Sequence, residues 1–152
     1  MKQLTVIGIG NILMQDDGIG VIVVNAIKNE LHNYDIMAII GETDVQYCLD
    51  NITQDDSLII IDGMQPLSLP GNIQLIELNP AIKNEAELGS LHQLSLFDAL
   101  KMYYPDIQGF LIGIETAQIS MGVNLSNQLE YKFQQICDDV VKIILKIKKQ
   151  FT

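Results

Sequence analysis

Apolar residues along this chain alternate between short β-rich runs and longer segments with apolar positions three or four residues apart. The strand-like runs cover residues 4–9, 36–40, 57–61 and 107–114. The segments with helical spacing cover residues 18–31, 45–52, 91–103 and a tail from about residue 126 onward. Strands and helices therefore alternate, and the chain begins as a βαβαβ unit. The run SLIII at 57–61 is apolar throughout, which is typical of a strand buried on both faces of a parallel sheet.

One further strand is predicted to break the parallel pattern. Residues 72–78, NIQLIEL, follow a Pro70-Gly71 turn and return too soon after residue 61 for a parallel crossover, which needs a dozen or more residues. Residues 79–89 have the composition of a loop. The sequence thus predicts one α/β domain over 1–152, a three-layer α/β/α sandwich around a five-stranded mixed sheet with one antiparallel strand.

Composition and charge exclude several classes of function. The chain is 48% apolar but has no uninterrupted apolar run of about 18 residues, so no membrane span is expected. Gly8 and Gly10 interrupt the first apolar run, which favours a first strand over a signal peptide. A net charge of -10 disfavours nucleic acid and anionic membranes as partners. Cys48 and Cys137 lie in apolar helical patterns, which predicts reduced, buried thiols in a cytoplasmic protein.

The loop after the first strand is acidic. Gly8 and Gly10 begin a dinucleotide-binding pattern, but Leu13 stands where its third glycine belongs. Asp16 and Asp17 then follow at the start of a helix, where they would repel a pyrophosphate. One aspartate suffices to cap the helix, so the other is free to face the crevice outside the sheet.

Asp62 closes the run SLIIID directly after the third predicted strand. A carboxylate there is costly unless it is paired, hydrogen-bonded or bound to a cation. In doubly wound sheets the first and third strands usually lie side by side, about 4.8 Å apart, where ligands bind. Asp62 and one residue of the acidic pair would then face one cavity. Two like charges at that range need a cation, a shared proton or a partner, which is the physical argument for a metal.

The chain has two histidines. His32 lies at the exit of the first helix, where an imidazole complements the helix dipole. His92 opens a later helix, and with two carboxylates it would form a borderline metal site suited to nickel, zinc or iron. A Ser-His-Asp hydrolase built from Ser90 or Ser95 with His92 and Asp62 is disfavoured, because the chain has no G-x-S-x-G nucleophile elbow.

Three segments in this order and at these separations resemble the hydrogenase maturation proteases: GIGNILMQDDGIG, IIIDG and SLHQLSL. The similarity extends to the Gly113-Ile114-Glu115, Met121-Gly122 and Leu125-Ser126 stretches near the end of the chain. The resemblance implies a phosphorylase/hydrolase-like α/β/α fold with one antiparallel strand. It also implies an endopeptidase that removes the C-terminal extension from the nickel-loaded precursor of the [NiFe] hydrogenase large subunit.

The resemblance further implies that Asp17, Asp62 and His92 are both the catalytic residues and the metal ligands. Asp16 then becomes a helix cap or a partner of a ligand. Nickel is expected to arrive with the substrate protein, and zinc or cadmium to substitute for it in vitro. The protease is expected to be a monomer, because a large substrate must reach the edge of the sheet.

Two positions depart from the family pattern. Ile40-Gly41-Glu42-Thr43 stands where relatives often carry Asp-Gly-Gly-Thr, and Thr116 stands where many relatives have proline. These changes bear on the choice of precursor more than on the chemistry. Glu42 also supports a rival interpretation, a nucleotide- or flavin-binding Rossmann or flavodoxin-like module, because an acid after the second strand can bind ribose. A further alternative is a maturation factor that binds the precursor without cleaving it.

Overall fold

The structure is a computed structural model that describes residues 3–78 and 91–151, with the backbone alone for residues 91–95. Its strands are β1 (Leu4–Ile9), β2 (Met37–Glu42), β3 (Ser57–Met64), β4 (Ile73–Leu78) and β5 (Gln108–Glu115). Its α-helices are α1 (Ile19–His32), α2 (Val45–Asp50), α3 (Leu91–Tyr103) and α4 (Asn127–Gln150). A 3-10 turn, Gln15–Gly18, leads directly into α1. The predicted loop at 79–89 lies outside the described residues.

The five strands form one mixed sheet in the order β2-β1-β3-β5-β4. β4 is antiparallel to β5, and the other neighbouring pairs are parallel. The predicted mixed sheet with one antiparallel strand is therefore confirmed. The connection that contains Pro70-Gly71 is too short for the crossover that a parallel strand needs. The carboxyl ends of β1, β3 and β5 lie next to one another at one edge, called here the carboxyl edge.

Helices cover both faces of the sheet. α1 and α4 share one buried apolar cluster with the sheet, and α2 and α3 share the other. Along β3, Ile59 and Ile61 belong to the α1–α4 cluster, whereas Leu58 and Ile60 belong to the α2–α3 cluster. Successive strand residues point to opposite faces, so a continuously apolar strand fills both cores. The three-layer α/β/α prediction is confirmed.

Local signals set the helix ends. Ser126 caps α4 by accepting a hydrogen bond from the N–H of Leu129 at 3.3 Å, and Asp44 caps α2 by accepting one from Tyr47 at 2.9 Å. Lys148 and Lys149 occupy the last turn of α4, where cations complement the helix dipole. Within the described ranges, every α-helix falls short of the length and apolar character that a bilayer crossing requires.

The end of β3 differs from its predicted position. The strand was expected to stop at residue 61, with Asp62 just beyond it, but its pairing with β5 continues from Asp62 opposite Gly113 to Met64 opposite Glu115. Asp62 therefore lies inside the strand. The extension comes from the neighbouring strand, whose backbone supplies hydrogen-bond partners that no local pattern around Gly63 can indicate.

Candidate active site

Gly10 brings the first loop back over the carboxyl edge. Its φ of +131° lies in a region that favours glycine. A Cβ atom at Gly10 would lie 2.0 Å from the carbonyl oxygen of Asp17 and 3.3 Å from Oδ1 of Asp62. The turn that carries Asp17 and the carboxylate of Asp62 therefore flank the same glycine. The structure thus brings the two predicted site residues, Asp17 and Asp62, close to one another.

Asp17 lies in the 3-10 turn and is partly exposed. Its Oδ2 accepts a hydrogen bond from the N–H of Asn11 at 2.9 Å. Just beyond it, a Cβ atom at Gly20 would lie 2.2 Å from the carbonyl oxygen of Ile61, so the start of α1 packs directly on β3. The glycines of this segment thus serve close packing of helix on sheet, which weakens the nucleotide-binding alternative.

Two roles were predicted for Asp16, capping the helix or acting as the partner of a metal ligand, and the second stays a prediction. It is fully buried, and its Oδ2 accepts hydrogen bonds from the N–H groups of Ala117 and Gln118, both at 2.9 Å. Its Oδ1 accepts a third from Ser126 at 2.7 Å. The N-cap of α1 is Gly18, with no side-chain cap, so the predicted capping role of Asp16 is wrong. The reason is tertiary: three amides of the β5–α4 loop converge on this carboxylate.

Asp62 is fully buried, and its Oδ1 accepts a hydrogen bond from the N–H of Gly63 at 2.7 Å. It has the same parity along β3 as Leu58 and Ile60, so its side chain lies on the α2–α3 side of the sheet. A buried carboxylate in a central strand requires compensating contacts, as was expected for Asp62 from its position in the sequence.

α3 begins on that same side of the sheet. Its Leu96 is buried and lines, together with Ile9 and Glu42, a cavity of about 60 Å³ at the ends of β1 and β2. His92 lies one helical turn before Leu96, so its backbone is about one turn of α3 away from the residue that lines this cavity. The side chain of His92 lies outside the described part of the structure, and its role stays a prediction. The other histidine, His32, lies in the last turn of α1.

No group of three His, Cys, Asp or Glu side chains that could hold a metal occurs among the residues whose side chains are described. That set leaves out His92, so the predicted three-ligand site stays a prediction. Asp17 and Asp62 supply oxygen donors beside one glycine, and a nearby imidazole would complete a set that suits borderline divalent metals.

The two cysteines are free and buried, as predicted. Burial raises the pKa of the Cys48 thiol to about 11, with a further contribution from the charge of Asp44. Burial and the charge of Asp138 raise the pKa of Cys137 to about 11 as well. Both thiols are therefore protonated at neutral pH and are poor nucleophiles.

The sequence analysis did not identify Glu115 as a functional or structural residue in its own right. This fully buried residue ends β5, and its Oε1 accepts hydrogen bonds from the N–H groups of Leu67 at 2.6 Å and Ser68 at 2.7 Å. Its Oε2 accepts one from Nε2 of Gln74 at 3.1 Å. Burial by itself raises the pKa of Glu115, but these hydrogen bonds outweigh it and hold the pKa below its ordinary value. The available signal was an acid at the end of a buried strand, the same signal that indicated Asp62.

The lowered pKa of Glu115 predicts an acid-sensitive contribution to stability. A depressed carboxyl pKa stabilises the fold above the unfolded-state value of 4.5, and this stabilisation is lost as pH falls through the folded-state pKa. Glu115→Gln should therefore be less stable than the wild type at neutral pH, and the difference should narrow as pH falls below 4.5. Thermal unfolding of both proteins across that range measures the effect. A difference independent of pH would contradict it.

This chain is thus an α/β/α protein with a mixed sheet, and two aspartates lie at the carboxyl edge of its central strands, where sheets of this kind bind ligands. A family model described as "Hydrogenase maturation protease" matches residues 21–147. The chain therefore belongs to the hydrogenase maturation protease family. The matched range includes Asp62 and His92, and Asp17 precedes it.

Two relatives carry the name "Hydrogenase expression/formation protein HupD". The protein from Rhizobium leguminosarum bv. viciae is 31% identical over 111 residues, which cover 68% of this chain and 55% of that protein. The protein from Thiocapsa roseopersicina is 24% identical over 156 residues, covering 98% and 69%. The matched part of this chain thus spans about half the length of the Rhizobium relative.

Solved structures have the same fold. The hydrogenase maturating endopeptidase HybD from E. coli matches with a TM-score of 0.74 and 23% identity, covering 95% of this chain and 93% of that chain. The [NiFe] hydrogenase maturation protease HybD from Thermococcus kodakarensis matches with a TM-score of 0.67 and 21% identity, covering 93% and 99%. The family and fold predictions are confirmed.

Proposed function

We propose that this chain is an endopeptidase that removes the C-terminal extension of the nickel-loaded precursor of a [NiFe] hydrogenase large subunit. Family membership and the shared fold support this activity. The observation that carries it is the fully buried Asp62 in a central strand, next to the glycine that also contacts the turn of Asp17. We propose a cytoplasmic monomer, and two free cysteines agree with a reducing compartment.

In this proposal, nickel belongs to the substrate protein. Asp17 is partly exposed and can reach an incoming protein, whereas Asp62 lies deeper and is shielded from water. His92 would complete the contacts from the first turn of α3. Substrate-borne nickel would supply a Lewis acid that polarises the peptide carbonyl or activates a water molecule. The three side chains would orient the scissile bond, and zinc or cadmium could replace nickel in vitro.

The decisive experiment compares nickel-loaded with metal-free precursor. Incubation with the purified chain should release the C-terminal peptide from the loaded form alone, as measured by gel shift and by the mass of the peptide. The physical reason is that cleavage needs the contacts between nickel and the three side chains. Treating the protease with a chelator and then removing the chelator should leave its activity unchanged.

Three results would contradict the proposal in different ways. Equal cleavage of metal-free precursor would show that nickel plays no part in recognition. Loss of activity after chelation, with recovery on addition of zinc, would show a resident catalytic metal instead of nickel carried by the substrate. A wild-type protein that binds the loaded precursor without releasing a peptide would support the non-cleaving maturation factor.

A further inference from the structure

An uncharged, apolar surface adjoins the candidate active site. Residues 3–15 and 116–129 contain no Asp, Glu, Lys or Arg, although 18% of the chain is charged and its net charge is -10. Five large apolar side chains of these segments are exposed, and four of them are about half exposed or more: Leu13 (58%), Ile119 (49%), Met121 (90%) and Val123 (67%). We call these four residues the apolar edge. Exposed apolar side chains grouped on one loop pair are typical of a surface that binds a partner.

The backbone beneath the apolar edge is held in place by hydrogen bonds. The N–H of Gly122 donates to the carbonyl of Leu13, and the N–H of Gln15 donates to the carbonyl of Gly122, both at 2.8 Å. The hydroxyl of Ser120 donates to Oε1 of Gln15 at 2.6 Å. Asp16 fixes both ends of the same loop through its three amide contacts. A surface ordered in advance loses less conformational entropy when a partner binds.

The surface next to Val123 is concave. A depression of about 310 Å³ lies between the start of α4 and α1, and it is lined by Ile22, Val123, Asn124, Leu125, Glu130 and Phe133. Glu130 is the one charged residue in this lining. The depression could therefore hold an apolar side chain of a protein bound along the loop.

We propose that the apolar edge docks an uncharged, apolar segment of the large-subunit precursor beside the peptide bond that is cleaved. This inference rests on the proposed function. The edge is continuous with the candidate site, because Leu13 and Asp17 belong to one loop and Gly122 pairs with that loop through its backbone. The chain is acidic overall, so a stretch free of charge suits a partner segment that is itself apolar and uncharged.

The test uses Met121→Asp and Val123→Asp, with Met102→Asp as the matched control. Met102, near the end of α3, is 75% exposed, Met121 is 90% exposed and Val123 is 67% exposed. All three substitutions should therefore leave the fold intact. Met121→Asp and Val123→Asp should raise the KM for nickel-loaded precursor at least about tenfold and change kcat less than about twofold, because docking is weakened but the chemistry is not. Met102→Asp should match the wild type.

Binding of the same precursor to Asp62→Asn protein, with and without Met121→Asp, separates this inference from the proposed function. If the wild type cleaves the precursor and Met121→Asp changes neither KM nor binding, the docking inference is wrong and the protease assignment stands. If the wild type does not cleave, but Met121→Asp weakens binding about tenfold and Met102→Asp does not, docking stands and the proposed function is wrong.

Discussion

The Asp62→Asn protein is expected to fold and yet to leave nickel-loaded precursor uncleaved, with kcat/KM reduced by roughly 10²–10³-fold or more. Asp62 is fully buried within β3, and its Oδ1 lies close to the backbone of Gly10. Asparagine has nearly the same shape and keeps an oxygen to accept the hydrogen bond from Gly63. It lacks the negative charge that attracts a metal. Activity is measured by the mass of the released peptide, and folding by circular dichroism and thermal unfolding.

The same assay applies to Asp17→Asn and His92→Ala, which should lose activity by a similar factor. Asp138→Asn is the matched control, because Asp138 is an exposed aspartate on α4 whose side chain contacts Gln134. Normal cleavage by folded Asp62→Asn would overturn the assignment of the carboxyl edge as the active site. Normal cleavage by His92→Ala alone would remove the histidine from the proposed set and leave the two aspartates.

Asp16→Asn is expected to lose both stability and activity. Its carboxylate accepts three backbone hydrogen bonds, and an asparagine side chain would turn an N–H₂ group toward at least one of those donors. Two buried donors would then lack an acceptor, the new N–H₂ group and the backbone N–H that it faces. Each costs about 1–3 kcal/mol, so a loss of about 2–4 kcal/mol is expected. The melting temperature should fall by roughly 10 °C, as measured by thermal unfolding.

The loss of activity follows from the position of Asp16 next to Asp17 in the same 3-10 turn. If the turn shifts, the Asp17 carboxylate moves with it, and a displacement of about 1 Å can cost roughly 100-fold in rate. We therefore expect kcat to fall by roughly 10–100-fold at temperatures where the variant is fully folded. Asp16 would thus act as a positioning residue through Asp17.

Glu115→Gln is the control that separates positioning from stability. Glu115 is also fully buried and also holds a loop through backbone N–H groups, but its contacts lie on the β3–β4 connection, away from the turn of Asp17. Its substitution should lower the melting temperature and leave kcat within about threefold below that temperature. If both variants lose activity only in proportion to the fraction unfolded, Asp16 contributes stability alone.

Much of the fold could be predicted because its signals are local. Apolar runs, helical spacing and the Pro70-Gly71 turn indicated each described strand and α-helix, including the one antiparallel strand, but not the 3-10 turn Gln15–Gly18. Element ends were less predictable. β3 runs to Met64 because β5 continues to pair with it, and that pairing joins residues far apart in sequence.

The site residues likewise divide into those indicated by local sequence and those whose role depends on long-range contacts. An acid in a strand otherwise filled with Leu and Ile is anomalous in the sequence itself, so Asp62 was identifiable without a structure. Glu115 carried the same signal, but its partners Leu67, Ser68 and Gln74 come together only when β4 pairs with β5. Glu115 could therefore be recognised as unusual from the sequence, but its role in holding the β3–β4 connection could not.

Asp16 and Asp17 show most clearly how far prediction from the sequence can go. Local patterns were enough to place two consecutive acids before a helix at the carboxyl edge, because strand and helix periodicity depend on neighbouring residues. Which of the two acids is buried depends instead on contacts with distant parts of the chain. Asp16 receives amides from residues 117, 118 and 126, and Asp17 stays partly exposed with one amide from its own loop. The deciding hydrogen bonds span more than a hundred residues, a separation over which local sequence patterns carry no information.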